Sequence, residues 1–356
     1  MKKSILFLGL CMLALNANAQ TLGGKAKAGN NAKNTNVEMA KPSDENQTYQ
    51  PHVLSLIKAK EDFNFDDYLT QNLKTSNGEK LDCKKQNEVV VCFDKNQKPF
   101  TGVATGIANN PKIKFTGHAN YKNGMLNGLS KIVYKSGNVA FESKYVNGKR
   151  EGVSVTYSDK GYKQSETNYK NGKKDGRFVA YFPNGAKMVE ANYKNDKAEG
   201  TQRVWHPNGK LQSQARFSND LIEGNATTYY TSGRIETQRT YKNGKENGVM
   251  KIYDDKKNKV AAQIPYVDGK IHGMLIVYND GIPFNEMHYE NGINNGKYIL
   301  YHKNGKKFIV ATAKNDKLEG EAKVYDETGK LQKIEYYKDG KILKKKKKGA
   351  KCSLKF

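Results

Sequence analysis

Residues 176–193 read GRFVAYFPNGAKMVEANY. Two short runs, Arg177–Tyr181 and Lys187–Tyr193, flank Phe182-Pro183-Asn184-Gly185. Proline presets φ at the first central position of a turn, and glycine supplies the positive φ that closes a hairpin with a bulge. His206-Pro207-Asn208-Gly209 carries the same chemistry one step further along. The stretch predicts one β-hairpin, followed by a looser turn over Lys194–Gly200 that leads into the next hairpin.

Outward from this unit, the sequence is periodic. Tyr-x-Asn/Asp-Gly or a close variant recurs at Tyr121, Tyr145, Tyr169, Tyr193, Phe217, Tyr241, Tyr266, Tyr289, Ala313 and Tyr337, in steps of 24 residues except for one of 25 and one of 23. A glycine follows seven residues on, from Gly128 to Gly320. An aromatic follows twelve on, at Tyr157, Tyr181, Trp205, Tyr229, Tyr253, Tyr278, Tyr301 and Tyr325, with Val133 in the first copy. A tip glycine recurs from Gly137 to Gly329 and is missing only from the sixth copy, which carries a longer Asp254–Asn258 stretch. Small residues such as Ser143, Thr167, Ala191 and Ala215 precede the closing Tyr by two, and Glu142, Glu166, Glu190, Gln214 and Gln238 form an acid or amide column beside them. Alternation predicts the small residues and the Tyr/Phe inward and the Glu column toward solvent. One hairpin cannot bury its apolar face alone, so stability comes from stacking neighbours. The fold class expected is all-β, an elongated array of stacked antiparallel hairpins, about 95 Å long at about 4.8 Å per strand.

The columns resemble the MORN repeat, in the bacterial 24-residue variant described as antitoxin-like. Tyr169, Asn171, Gly172, Gly176, Tyr181 and Gly185 carry the resemblance, as do Tyr289, Asn291, Gly292, Gly296, Tyr301 and Gly305. It covers residues 121–340. It implies a β-hairpin array that serves protein–protein contact, dimerisation and, chiefly in eukaryotic relatives, attachment to phospholipid membranes. An antitoxin role fits an exported chain poorly.

Export is expected from the first residues. Lys2 and Lys3 precede the apolar run Ile5–Leu15, and Ala17-Asn18-Ala19 is a small-x-small cleavage site, so residues 1–19 read as a signal peptide. Residues 20–50, poor in large apolar side chains, read as a disordered spacer. Residues 51–120 read as a non-repeat capping region. A short helix is expected within Val53–Leu73, strands at Glu88–Phe93, Thr101–Thr105 and Lys112–Phe115, a turn at Asn109-Asn110-Pro111, and a degenerate repeat at Pro99–Gly102. Cys83 and Cys92, nine positions apart, admit a bridge across a short hairpin and equally two free thiols. Cys352 has no such neighbour.

The formal net charge is +25, and residues 341–356 hold eight lysines and no acid. This Lys-rich tail, with Lys344, Lys345, Lys346, Lys347 and Lys348 consecutive, is the candidate for binding anionic lipid or polysaccharide surfaces, at about 1 kcal/mol per residue near a charged membrane. It reads equally as a solubilising tail. The six histidines (His52, His118, His206, His272, His288 and His302) share no repeat column with a partner at ligand spacing, and no Ser/His/Asp grouping, phosphate loop or HExxH is present. Asp62, Asp66 and Asp67 read as a solvated face. No enzyme, cofactor or metal is expected. The tyrosine columns could offer ring faces to sugars or nucleic acid, although the fold already requires them. The chain reads as an exported scaffold for a protein partner in the cell envelope or outside the cell (periplasm, outer surface or medium), or alternatively as an adhesin-like binder of anionic surfaces. Export argues against a nucleic-acid partner.

Overall fold

A computed structural model describes residues 65–70, 72–109 and 114–347. The expected signal peptide, spacer, turn at Asn110-Pro111, Lys348 and Cys352 lie outside the described residues. The chain divides into two compact units, one reaching to Arg234 and one starting at Ile235.

In the N-terminal unit, a short helix α1 (Phe65–Thr70) leads into β1 (Leu73–Thr75) and a separate hairpin, β2 (Asp82–Gln86) with β3 (Val89–Phe93). The sheet runs from β1 to β4 (Gly102–Asn109), β5 (Lys114–Lys122), β6 (Met125–Leu126) with β7 (Gly128–Tyr134), and β8 (Val139–Val146). It continues through β9 (Lys149–Arg150) with β10 (Gly152–Tyr157), β11 (Lys163–Lys170), β12 (Lys173–Tyr181), β13 (Lys187–Lys194), β14 (Lys197–Ala198) with β15 (Gly200–Trp205), β16 (Leu211–Ser218) and β17 (Leu221–Tyr229). Every pairing is antiparallel; β1 skips the separate β2–β3 hairpin to pair with β4, from there the strands follow in chain order, and β17 does not pair back onto β1 among the described residues, so the sheet stays open.

In the C-terminal unit the same succession runs through β18 (Ile235–Lys242), β19 (Lys245–Glu246) with β20 (Gly248–Tyr253), β21 (Val260–Val267), β22 (Lys270–Ile271) with β23 (Gly273–Asn279), and β24 (Ile282–Glu290). It ends with β25 (Ile293–Tyr301), β26 (Lys307–Lys314), β27 (Lys317–Tyr325), β28 (Leu331–Lys338) and β29 (Lys341–Lys347). The start of the Lys-rich tail is therefore a paired edge strand, with Lys345 opposite Glu335 and Lys344 opposite Tyr336.

The two turns of each repeat differ in kind. At the tip, Gly185 N donates to Phe182 O (2.9 Å), Phe182 N donates to Ala186 O (2.8 Å), and the register shifts at Ala180/Tyr181, which is the bulged hairpin expected from Pro183 and Gly185. The connection between repeats is tighter than the sequence suggested. Asn171 and Gly172 have φ of 51° and 81°, as do Asn195 and Asp196 at 50° and 68°, and Tyr193 pairs with Ala198 across the turn. Positive φ at both central residues is the type I′ hairpin turn that matches strand twist. The apparent looseness of Lys194–Gly200 comes from the bulge just beyond the turn, where Gly200 pairs with Phe217.

These turns also stack. Gly172 N donates to Arg150 O (2.9 Å), Asp196 N to Lys174 O (2.9 Å) and Asp220 N to Ala198 O (3.1 Å), each about one repeat back. The first turn amide is held as well: Asn171 N donates to Glu151 Oε2 (2.8 Å) and Asn219 N to Glu199 Oε2 (3.1 Å). The tips are linked in the same way, Asn208 Nδ2 to Thr231 O (3.0 Å) and Asn304 Nδ2 to Glu327 O (2.8 Å). The 24-residue period thus fixes backbone hydrogen bonds between copies as well as side-chain columns. The irregular steps have the same origin. Asp254–Asn258 adds a residue, with Asn258 taking the positive φ of 51°, and the next tip shortens to Asp280-Gly281 (φ 55° and 85°). The degenerate copy follows the rule too: Gly102 pairs with Tyr121 as Gly176 pairs with Tyr193, and Gly124 N donates to Phe100 O.

Cross-strand pairs build the inward face. Ser130 faces Ser143, Ser154 faces Thr167, Phe178 faces Ala191 and Gln202 faces Ala215, all buried. The closing Tyr145, Phe217 and Tyr241 are buried as expected. In the first copies Leu69 of α1, Leu73 of β1, Leu81 just before β2 and Cys92 of β3 join a core with Phe115, Ile132 and Phe141. Cys83 lies directly opposite Cys92, and a disulfide joins them (S–S 2.07 Å). Gln202 is fully buried, and neither amide atom has a hydrogen-bond partner among the described residues. A buried amide without partners costs about 1–3 kcal/mol. Gln202→Met is therefore expected to stabilise the unit, read as a higher urea midpoint by the emission of Trp205, the chain's single tryptophan.

Candidate functional site

The opposite face is the candidate surface. Strand alternation directs Arg177, Val179 and Tyr181 to it; Arg177 is exposed and Tyr181 half-buried, while Val179, which pairs with Glu166 on one side and Glu190 on the other, is buried at 1%. The second aromatic column therefore lies on the open face, away from the buried Tyr121/Tyr145 column, and its rings are half-buried. The Glu column, expected in solvent, lies half-buried beside it. Tyr157 OH donates to Glu142 Oε1 (3.1 Å) and Tyr181 OH to Glu166 Oε2 (2.9 Å), while Gln214 Nε2 donates to Tyr229 OH (3.2 Å). The C-terminal unit repeats the motif with Tyr253 and Gln238 (2.6 Å), Tyr278 and Gln263 (3.2 Å), and Tyr301 and Glu286 (2.8 Å). The register Val179↔Glu190 and Phe178↔Ala191 sets the facing of the Glu column, and sequence alternation alone does not supply it.

Trp205 has no hydroxyl, and the carboxylate at its rung is held by cations. Glu190 pairs with Arg177 (2.6 Å) and Lys187 (3.4 Å), and Lys187 Nζ sits 5.8 Å from the Trp205 ring. Lys163 pairs with Glu166 at 2.5 Å and Lys131 with Glu142 at 3.5 Å. Beside Tyr181, a shallow hollow is lined by Tyr162, Lys163, Pro183, Asn184 and Gly185.

These contacts polarise the ladder. The Lys163 hydrogen bond, against the cost of burial, holds the Glu166 carboxyl below its ordinary 4.5; burial is the largest single influence on Glu190 and opposes its ionisation, but the hydrogen bonds and charges of Arg177 and Lys187 together outweigh it. Burial first, then Glu166, raises the Tyr181 phenol above its ordinary 10.0, and Tyr301 is pushed up to about 12 by burial and Glu286. A depressed carboxylate stabilises the fold above its unfolded value, and that contribution fades as pH falls through the folded one. A raised phenol contributes below its unfolded value and fades as pH rises through the folded one. The ladder is thus expected to be firm between about pH 4.5 and 10 and to loosen outside it. Trp205 emission recorded from pH 2 to 12 should show a plateau with a change on both flanks.

A second lane of the same face is apolar in the first copies. Val103, Leu129 and Val153 each follow a column glycine and are 53%, 47% and 51% exposed; the next copies of the N-terminal unit carry Arg177, Thr201 and Asn225 there, and in the C-terminal unit the column is apolar again at Val249, 48% exposed.

Three of the histidines serve the tips and bulges. His206 Nε2 lies 3.0 Å from Tyr229 O and His302 Nε2 3.0 Å from Tyr325 O, while His288 Nδ1 lies 2.9 Å from Asn295 O. His118 is exposed on β5, and His52 and Asp62 lie outside the described residues. Asp66 is in α1. Lys344–Lys347 lie on β29. Among the described residues no cluster of His, Cys, Asp or Glu is placed to hold a metal ion, and no helix is long and apolar enough to cross a membrane.

Four segments match the model of the MORN repeat variant. They are residues 174–195, 198–219, 222–243 and 318–339. Each begins in or at the strand that leaves an I′ turn and ends at the next such turn, so the unit detected in sequence is the hairpin plus its stacking connection. These four copies are similar to the MORN repeat variant. No curated protein matches the chain. Among solved structures, one described as "Crystal Structure of TcdB2-TccC3-TEV" aligns over 70% of this chain and 19% of that one, at 12% identity and a TM-score of 0.16. The chain spans about a fifth of that protein, and the likeness supports no inference about fold or function.

Proposed function

We propose that the protein is an exported, non-catalytic MORN-type scaffold that holds a protein partner on the open face of its first repeats. The observation that carries this reading is the lane Val103, Leu129 and Val153. Three consecutive copies expose an apolar residue in this column, where the copies that follow in the N-terminal unit carry Arg177, Thr201 and Asn225. Desolvated apolar centres are where protein interfaces gain their affinity. The regular columns are consumed by turns and core, so specificity rests on what varies between copies. The reading assigns the chain no catalytic step, cofactor or metal. Cleavage after Ala19 would carry it into the envelope or beyond, with Gln20 as the mature N terminus.

A photo-crosslinker at Val103, in the same lane, should trap one discrete partner in cells, and Leu129→Asp/Val153→Asp should abolish the adduct while leaving the fold intact. An adduct that survives the double substitution, or no adduct at Val103, contradicts the reading. Mass analysis of the exported protein checks the cleavage site.

A second reading is favoured by β29, which gathers Lys341 and Lys344–Lys347 on an edge strand that pairs only with β28 among the described residues. It is contact with an anionic membrane or polymer. Glutamine at Lys344–Lys348 should then weaken binding to anionic vesicles, as should raised salt. Binding unchanged by both removes this reading.

A further inference from the structure

We propose that the aromatic ladder of the N-terminal unit binds a linear, uncharged polysaccharide, one ring to each hairpin. Tyr157, Tyr181, Trp205 and Tyr229 recur once per two strands on the open face, so successive rings stand about 9.6 Å apart and the four span about 29 Å. An extended β-1,4-linked glycan presents the same sugar face once per disaccharide, at close to that interval. Sugar recognition combines an apolar ring face with polar groups beside it. Each ring here has a carboxylate or amide on the adjoining strand: Glu142, Glu166, Glu190 and Gln214. A carboxylate that accepts one phenol and one ammonium keeps lone-pair sites for further hydroxyls.

Three features narrow the ligand. The phenol–carboxylate bonds lock the ring orientation in advance, which lowers the ordering cost of binding. The shallow hollow beside Tyr181 gives one rung a concave edge lined by Tyr162, Lys163 and Pro183. Lys131, Lys163, Arg177 and Lys187 are all engaged by the ladder's own carboxylates, so the lane offers an uncharged polymer more than it offers a polyanion. A ladder lane along the tips and an apolar lane along the bulges leave room for a glycan and a protein on one face.

Trp205 is the chain's single tryptophan and stands within the ladder, so its emission reads this site directly. The full chain is titrated with linear hexamers of β-1,4-linked glucose and of β-1,4-linked N-acetylglucosamine, with the corresponding dimers, and with heparin. The expected result is a saturable Trp205 change with at least one neutral hexamer, weaker for its dimer and insensitive to salt. Tyr181→Ala should weaken binding roughly tenfold, and Tyr181→Phe, which keeps the ring and guards against a folding defect, by no more than a few-fold. No response to either neutral hexamer at millimolar concentration overturns the proposal. So does a response to heparin alone that salt abolishes, or an affinity unchanged by Tyr181→Ala.

Discussion

Replacing Gly124 by alanine is expected to destabilise the N-terminal unit by roughly 3–5 kcal/mol, while the same change at Gly172 costs about 1–2. The two glycines hold the same place in I′ turns two repeats apart, with φ of 78° and 81°. An added Cβ strains both backbones equally. At Gly172 the nearest atom is Lys149 Cβ at 3.5 Å, an ordinary contact. At Gly124 the added Cβ would lie 2.6 Å from Val91 Cγ1 and 2.9 Å from Cys92 O. That carbonyl cannot retreat easily: Phe100 N donates to it (2.9 Å), Cys92 N donates to Gly124 O (2.7 Å), and the Cys83 bridge ties the strand. The difference between the two substitutions isolates the docking of the β2–β3 hairpin on the first turn. Urea unfolding followed by Trp205 emission measures it, and equal losses would mean that the hairpin does not sit there.

Phe141→Ala should be as costly, about 3–5 kcal/mol. Phe141 is 1% exposed, its ring stacks on Phe65 at 4.7 Å and 2°, and the Arg150 guanidinium lies 4.9 Å from it. Truncation removes the ring against which Phe65 of α1 rests. The helix should therefore release first, seen as protease cleavage within Phe65–Thr70 at denaturant levels that leave Trp205 emission native. Leu129→Ala, at a position 47% exposed, is the control and should change stability by less than about 0.5 kcal/mol.

Much of this was legible in the sequence. Pro183, Gly185 and their equivalents specify the tip turn by their own backbone preferences, so the hairpin and its period follow from local chemistry. The hairpin between Cys83 and Cys92 was equally local. The I′ connection was harder to see, because the bulge at Gly200 lengthens the apparent loop and hides the two-residue turn Asn195-Asp196. The bulges also break the parity count between the closing Tyr193 and the aromatic Tyr181. Two tyrosine columns therefore looked alike although one is core and the other is on the open face. The Glu column looked solvent-facing because its partner, a phenol 15 residues along, lies on the adjacent strand. The apolar lane could not be distinguished from core by residue type. Only its neighbours, set by tertiary pairing, leave Leu129 and Val153 exposed.

The central structural claim is that each copy hangs on the previous one through its I′ turn, and amide hydrogen exchange tests it most directly. In a free two-residue hairpin the second turn amide faces water. Here Gly148 N, Gly172 N, Asp196 N and Asp220 N donate to Leu126 O, Arg150 O, Lys174 O and Ala198 O. These four amides are predicted to exchange as slowly as the strand amides of β12 and β13. Exchange at the rate of an unstructured peptide would contradict the stacking and, with it, the repeat scaffold.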